Sequence, residues 1–443
     1  MEIYTTDRLM VNPPKIHIET QGCKLNQSDS EDLNREFVSV GFETSRDAED
    51  ANVIVLNTCT VTHIADRKAR QRIRSLKRVN PDSVVVVTGC YAENKPEVLE
   101  EMPEIDLVVG NTQKNHIIGT VLDKFFPNLS SHDLFPQFHF SEFSSRNRAM
   151  VKIQEGCDQV CAYCIVPKVR GRERSIPVNV IVSKINTLND MGYKEVVLTG
   201  TQLGTYGFDL VNTTISDLLS AIIDNTDIPR IRVSSLQPHE ITGELLEFWE
   251  NRRLCPHFHI PLQSGSDNVL GNMRRRYSSD TFMSSLNTVR SSVKNVAITT
   301  DVIVGFPGET LDDFKQTRQI CLESGFSDLH VFKFSRRPGT SAFYVCDDVS
   351  PSEKSSRSSE IIEIGKESYK TFRESYEGSR LVVLWEGIGE NGGESRALRT
   401  GLTENYIRVK SMSKIGLPNS FSNVTVKIDP ENVYGPMFAF EGE

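Results

Sequence analysis

A chain of 443 residues, 38% hydrophobic and 25% charged, is long enough for about three domains with cores of their own. Its formal charge of −9 excludes indiscriminate nucleic-acid binding, so a polyanionic partner would need a local basic face. No apolar run approaches the roughly 18 residues of a bilayer span, and the opening MEIYTTDRLMVNPP lacks a basic stretch followed by an apolar core, so a cytoplasmic protein without a membrane partner is expected.

Residues from about 15 to 123 read as four strand and helix pairs, with strands near 15–20, 52–57, 83–88 and 106–109. Such alternation predicts a doubly wound parallel α/β sheet, which binds ligands at the carboxyl ends of its strands. Cysteines follow the first three strands: Cys23 after KIHIET, Cys59 after NVIVLNT and Cys90 after SVVVVTG. These thiols would meet at one sheet edge. The alternative is three small apolar residues at strand ends, because free cysteine is often simply buried. In ADRKARQRIRSLKR, Arg67, Lys68, Arg70, Arg72, Arg74, Lys77 and Arg78 spread around most of a helix, as either a solvated surface or a face for a polyanion.

The stretch 126–147, rich in Pro, Ser and aromatics without a clean period, is expected to be a linker. Beyond it AMVKIQ, KEVVLTG, RIRVSS, HFHIPL, NVAITTDVIVGF and DLHVFKFS recur as strands between helical patterns. Six βα units predict a parallel barrel, or part of one, with the chemistry on loops at the carboxyl ends. The first such loop, EGCDQVCAYC, carries Cys157, Cys161 and Cys164. CxxxCxxC spacing lets three thiolates face one iron–sulfur cube, and since a cube normally takes four, one iron stays open. A zinc site that borrows a distant ligand such as His63 or His116 is the alternative. Nine cysteines without a secretion signal fit metal chemistry better than disulfides. Cys255, Cys321 and Cys346 lack cluster spacing and are expected to be packing residues.

Lys168, Arg170, Arg172 and Arg174, and later Arg274, Arg275 and Arg276, add positive charge near these loops. Residues 351–377 read as an exposed helix. After Gly378 short alternating runs, from RLVVLWEG to MFAFE, predict a small antiparallel barrel or sandwich. From Tyr376 to Glu443 this region has seven Lys and Arg against nine Asp and Glu, an acidic balance for an RNA platform. Tyr406 and Phe438 are read either as base-stacking or as core aromatics.

With CxxxCxxC at 157–164 following the first barrel strand, the chain resembles the radical S-adenosylmethionine (SAM) enzymes. The dispersed cysteines and the final barrel, with GLTENYIRVK, narrow the resemblance to the methylthiotransferases. TQGCKLNQSDSE, NTCTVTHIADRKARQRIR and GCYAE look most like the bacterial MtaB type. The resemblance implies an amino-terminal domain at 1–125 carrying an auxiliary cluster, a partial (βα)6 radical SAM barrel at 148–374, and an RNA-binding barrel of the TRAM type at 375–443.

It also implies SAM and two [4Fe-4S] clusters, one on Cys157, Cys161 and Cys164 and one on Cys23, Cys59 and Cys90. In the implied reaction the first cluster cleaves SAM to a 5′-deoxyadenosyl radical. A second SAM methylates a sulfur held by the other cluster, and threonylcarbamoyladenosine at position 37 of tRNA becomes its 2-methylthio derivative. Sister branches act on isopentenyladenosine in tRNA or on an aspartate of a ribosomal protein. Implied partners are tRNA, an electron donor such as flavodoxin or ferredoxin, and a sulfur source, with the chain a monomer. For SAM the resemblance assigns Tyr163 beside the adenine, Thr199, Gly200 and Gln202 near the methionyl amine, Ser234 after the third strand, and Gly305 of GFPGE near the adenine. Gln202 stands where the family often has an acidic residue. A rival of another class is a non-catalytic RNA-binding module stabilised by zinc.

Overall fold

The computed structural model describes residues 13–127, 147–388, 398–412 and 417–441. These form two compact units, one on either side of residues 128–146. Almost all of the expected linker 126–147, and part of the run ESRALRTG, lie outside the described residues. Among the described residues no helix is long and apolar enough to cross a membrane.

In the first unit, β1 (Lys15–Thr20), β2 (Glu43–Thr44), β3 (Val53–Thr58), β4 (Val84–Gly89) and β5 (Leu107–Val109) make one sheet in the order β2-β1-β3-β4-β5, with every ladder parallel. The four predicted strands are present. The two-residue β2 is additional, and its exposed Glu and Thr carry no apolar signal. Helices cover both faces. Val53 and Val55 pack with Leu33, Phe37, Ile117 and Val121, whereas Ile54 and Leu56 pack on the other side with Ala69, Ile73 and Leu76. Burial on both faces is why these strands read as unbroken apolar runs instead of alternating ones.

The second unit contains β6 (Arg148–Lys152), β7 (Gln154–Glu155), β8 (Arg174–Ser175), β9 (Glu195–Thr199), β10 (Arg230–Val233), β11 (His257–His259), β12 (Ala297–Val304) and β13 (Asp328–Lys333). Parallel sheets β10-β9-β6 and β11-β12-β13 are joined by the bridge Ser235–His259, giving an open half-barrel of six strands. Among the described residues no ladder joins β6 to β13. Val196, Leu198, Ile231, Val233, Ile298 and Val302 share a core with helices Val178–Asp190, Ile215–Asn225, Ser279–Ser292 and Leu311–Glu323. By alternation, Thr199, Arg232, Ser234, His259 and Asp301 occupy the opposite strand face, turned away from those helices.

Helix Pro351–Glu374 is exposed along most of its surface, as expected, and packs through one buried stripe of Lys354, Arg357, Ser358, Ile361, Gly365 and Arg373. Most of these positions fall at helical i, i+3 and i+4 spacing, but charged and small residues occupy the stripe, so apolar periodicity is weak. Arg357 Nη1 lies 2.6 Å from buried Glu309 Oε2.

Strands β14 (Arg380–Ile388), β15 (Arg399–Thr403), β16 (Arg408–Ser411), β17 (Phe421–Lys427) and β18 (Met437–Glu441) close a small barrel in the order β14-β15-β16-β18-β17. Four ladders are antiparallel, as expected, and β16–β18 is parallel. This barrel sits against the amino-terminal ends of the half-barrel strands. Arg230 donates to Leu402 O at 3.1 Å and Val382 O at 3.2 Å, and Arg232 donates to Glu404 O at 3.1 Å. Both arginines also hold Glu195, with contacts of 3.4 and 2.9 Å in a fully buried setting. Tyr406 stacks on His257 at 4.1 Å between centroids, with the Arg232 guanidinium 3.9 Å from its ring centre, so it belongs to this junction. Phe438 is half-buried, with Lys410 Nζ 4.4 Å from its ring centre.

Candidate active site

Three neighbouring parallel strands deliver the dispersed cysteines to one edge of the first unit. Cys23 caps helix Lys24–Ser39 after β1, Cys59 directly follows β3, and Cys90 starts the helix Cys90–Asn94 after β4. Cys23 Sγ and Cys90 Sγ each lie 4.0 Å from Asn26 Oδ1, so the two sulfurs are within twice that distance of each other. Close passage at Gly22, whose φ is +107°, brings the Cys59 loop alongside: a Cβ there would lie 2.7 Å from Cys59 Cβ and 3.1 Å from its sulfur. Burial pushes the Cys59 thiol up to about 11, and the neighbouring Cys90 and Cys23 add to the rise.

Asn26 ties these loops together. Its Nδ2 donates to Gln21 O at 2.7 Å and to Thr58 O at 3.0 Å, joining the turn before Cys23 to the residue before Cys59. Asn57 in turn donates to Asn26 O at 2.9 Å, and Asn111 Nδ2 lies 3.6 Å from Cys90 Sγ. Replacing Asn26 by Ala leaves two carbonyls without this donor. The variant should lose about 1–3 kcal/mol of stability in the first unit, read from a urea transition, and a change within error would show that water replaces the amide.

The compact cysteine set lies on the loop between β7 and helix Val166–Arg170. The two-residue antiparallel pair β7–β8, which the sequence does not signal, brackets this loop. Backbone bonds fix its course: Cys157 N donates to Gly171 O at 3.2 Å, Ala162 N to Met273 O at 2.9 Å, and Ala342 N to Ala162 O at 2.7 Å. At Gly156, with φ +77°, a Cβ would lie 1.9 Å from Arg172 O, so only glycine admits this approach. Burial pushes the thiol of Cys157 up to about 11 and that of Cys164 up to about 12. Half-buried Arg275 places Nη1 3.3 Å from Cys161 Sγ and 3.5 Å from Tyr163 Oη, while Nη2 donates to Gln237 Oε1 at 3.2 Å.

The residues expected to meet SAM are distributed around this loop. Thr201 N and Gln202 N both donate to Gln154 Oε1 at 3.0 Å, and a Cβ on Gly200 would lie 2.9 Å from Gln154 O. Thr199 is buried at the end of β9. Gln202 holds Glu240 through its amide nitrogen and accepts from Gln237 through its amide oxygen. Ser234 is buried after β10, its hydroxyl without a hydrogen-bond partner. Tyr163 packs in a cluster with Phe306 and Ile303. Gly305, beside Phe306, serves its own turn: its N donates to Glu309 Oε2 at 2.7 Å, and a Cβ would lie 2.3 Å from Lys354 Cγ.

Family models described as Uncharacterized protein family UPF0004 and Radical SAM superfamily match residues 15–110 and 151–321. Threonylcarbamoyladenosine tRNA methylthiotransferase MtaB of Bacillus subtilis (strain 168) is 36% identical over 405 residues, covering 89% of each chain. The chain belongs to the MtaB-type radical SAM methylthiotransferases. Another relative of this methylthiotransferase, tRNA-2-methylthio-N(6)-dimethylallyladenosine synthase of Finegoldia magna, is 33% identical over 400 residues and 87% of each chain. The structure of the radical S-adenosylmethionine methyltransferase TsrM from Kitasatospora setae, with cobalamin and a [4Fe-4S] cluster bound, aligns with a TM-score of 0.55. The match has 14% identity over 74% of this chain and 77% of that one, a likeness of fold.

Membership of the radical SAM superfamily implies SAM and a [4Fe-4S] cluster. The residues of both trios fit such a group, because each trio offers three free thiols, without disulfides, from adjoining backbone, and thiolate is the ligand that iron–sulfur clusters take. The orphan Ser234 hydroxyl likewise suits a polar ligand at the strand ends.

Some residues that hold these loops in the methylthiotransferase are not singled out by the sequence. Glu240 lies just beyond RVSSLQP, and Asn26 lies inside TQGCKLNQSDSE, where cysteine spacing draws the eye first. Arg275 reads as one of three surface charges, yet only the flanking Arg274 and Arg276 are exposed. Part of the basic run on helix His63–Val79 is engaged within the unit. Arg72 binds Glu19 at 2.7 Å, Lys77 binds Asp106 at 3.1 Å, and Arg70 donates to Tyr91 Oη at 2.6 Å, whereas Arg67, Lys68 and Arg78 remain exposed. Arg170 is buried against Glu155 at 2.6 Å. Cys255 and Cys321 are buried as expected, but Cys346 is exposed.

Proposed function

We propose that this enzyme adds a methylthio group to threonylcarbamoyladenosine in tRNA, using two [4Fe-4S] clusters and two SAM molecules for each product. The observation that carries the two-cluster part is the meeting of Cys23, Cys59 and Cys90 at one sheet edge, in addition to the loop trio. The nucleoside is taken from the MtaB relative at 36% identity. When bound, the cluster on Cys157, Cys161 and Cys164 supplies the electron that breaks a carbon–sulfur bond of SAM, and the one on Cys23, Cys59 and Cys90 supplies the sulfur.

The chain's own residues bind and orient. Glu240, fixed by Gln202, offers a carboxyl to the methionyl ammonium and so takes the part that an acidic residue at position 202 would play. Gly200 lets the loop after β9 pack against Gln154, which sets the Thr199–Gln202 backbone at the methionyl end, Ser234 offers its hydroxyl, and Tyr163 with the backbone after Gly305 borders the adenine. Arg275 donates to Cys161 Sγ and keeps that ligand oriented. Residues 1–125 are assigned to the sulfur-donating domain, 148–374 to the SAM-cleaving domain and 375–443 to a TRAM-type RNA-binding barrel. A small electron-transfer protein such as flavodoxin or ferredoxin, and an external sulfur source, complete the turnover.

Nucleosides from tRNA of cells with and without the gene test the substrate. Mass spectrometry should show 2-methylthio-threonylcarbamoyladenosine disappearing from the deleted strain and returning with the gene. Loss of 2-methylthio-dimethylallyladenosine instead would favour the second reading, which the 33% identical relative supports. If neither changes in a strain without a second such gene, the tRNA assignment fails.

A further inference from the structure

On the half-barrel face turned away from the helices, His259, Asp301 and His330 bring one ligand atom each to within 4.8 Å of one another. Strand register produces the grouping. His259 on β11 pairs with Thr299 of β12, and two residues on, at the same face, Asp301 pairs with His330 of β13. His259 Nε2 lies 3.2 Å from Asp301 Oδ2, and His330 Nδ1 lies 3.1 Å from Asp301 Oδ1.

The remaining ring nitrogens also face polar groups: His259 Nδ1 is 2.9 Å from Thr299 Oγ1, and His330 Nε2 is 3.9 Å from Asp328 Oδ2. His259 therefore turns one nitrogen to the common point and hydrogen-bonds a hydroxyl with the other, whereas the outer nitrogen of His330 has a carboxylate only at ion-pair distance. Proteins fix metal-binding histidines in this way, because the outer partner sets tautomer and ring orientation.

We propose that His259, Asp301 and His330 bind a divalent cation of the zinc, iron(II) or manganese class, at a site separate from both cysteine trios. Two imidazoles and one carboxylate disfavour magnesium and calcium, which take oxygen shells. Three protein ligands leave coordination positions open. His330, with its side chain 49% exposed, borders the open side, whereas His259 at 11% forms the inner wall. An external oxygen donor, such as a hydroxyl or carboxylate of a bound substrate, can complete the shell from that side.

The test uses the holoenzyme with both cysteine trios loaded with iron, so that the thiolates are closed to added metal. Zn2+ alone is titrated by calorimetry, with iron content measured before and after. One equivalent should bind to the wild type at micromolar Zn2+ and be lost in both His330→Ala and Asp301→Asn. Thr299→Val should weaken binding by roughly 10–100-fold, since it removes only the outer partner of His259. Half-exposed His330 can be truncated without opening the core, and retained iron in that variant reports an intact fold. The proposal is overturned if the wild type takes up no zinc, or if both ligand variants bind it as the wild type does.

Discussion

A Cys59→Ala enzyme should still cleave SAM to 5′-deoxyadenosine but form no methylthio product, whereas Cys161→Ala should do neither. The separation follows from where the two residues lie. Cys59 follows β3 of a sheet with helices and cores of its own, and Cys161 belongs to a loop pinned to Met273 and Ala342 in the other unit. Removing one thiolate therefore leaves the other site's scaffold intact. Iron analysis provides a second readout: a wild type with two four-iron cubes should carry about eight irons, and either variant about four. Methylthiolated RNA from the Cys59 variant, or full iron in it, would defeat the assignment of the sulfur to the dispersed trio.

The largest stability effect is expected at Glu195. Burial would raise its carboxyl, but Arg232 and Arg230 beside it hold it below the usual glutamate range. Glu195→Ala leaves two buried guanidiniums without their carboxylate and should cost about 3–5 kcal/mol, because an uncompensated buried charge is far dearer than a broken surface pair. For a unit of this size that corresponds to a melting temperature lower by roughly 5–15 °C. Glu195→Gln keeps the hydrogen-bond acceptor and should fall between the two.

Acid should imitate the same loss. The folded pKa lies below the unfolded one, so the stabilisation is complete above an ordinary glutamate value of about 4.3 and disappears as pH falls through the lower folded value. A Glu195→Ala change below about 1 kcal/mol would mean that water reaches the arginines and that the junction is solvated.

The strands before the cysteines are legible in the sequence because both sheet faces are buried, which leaves short β-branched runs that cannot be mistaken for surface helices. Cys23, Cys59 and Cys90 are then located by topology, since parallel strands in register must bring their carboxyl ends together. The roles of Arg275 and Arg170 are not legible. A run of like charges gives no sign of which member turns inward, and their partners, Cys161 and Glu155, are separated from them by 114 and 15 positions. Helix Pro351–Glu374 is missed as a packing element for a related reason: Lys354 and Arg357 fill its buried stripe through ion pairs with Asp347 and Glu309 instead of through apolar contacts. From the sequence Tyr406 reads as a core aromatic or as a base-stacking one, and its place against Arg232 and His257 depends on a docking event that no local pattern encodes.

The small carboxyl-terminal barrel is seated beneath the half-barrel, at the opposite pole from the CxxxCxxC loop. The intervening strand β9 has five residues, so the two poles are separated by roughly 16 Å of extended backbone before any side chains are added. A lone nucleoside cannot touch both. A ligand that met both poles would have to extend over at least that distance, and one confined to the upper rim would leave the lower barrel untouched.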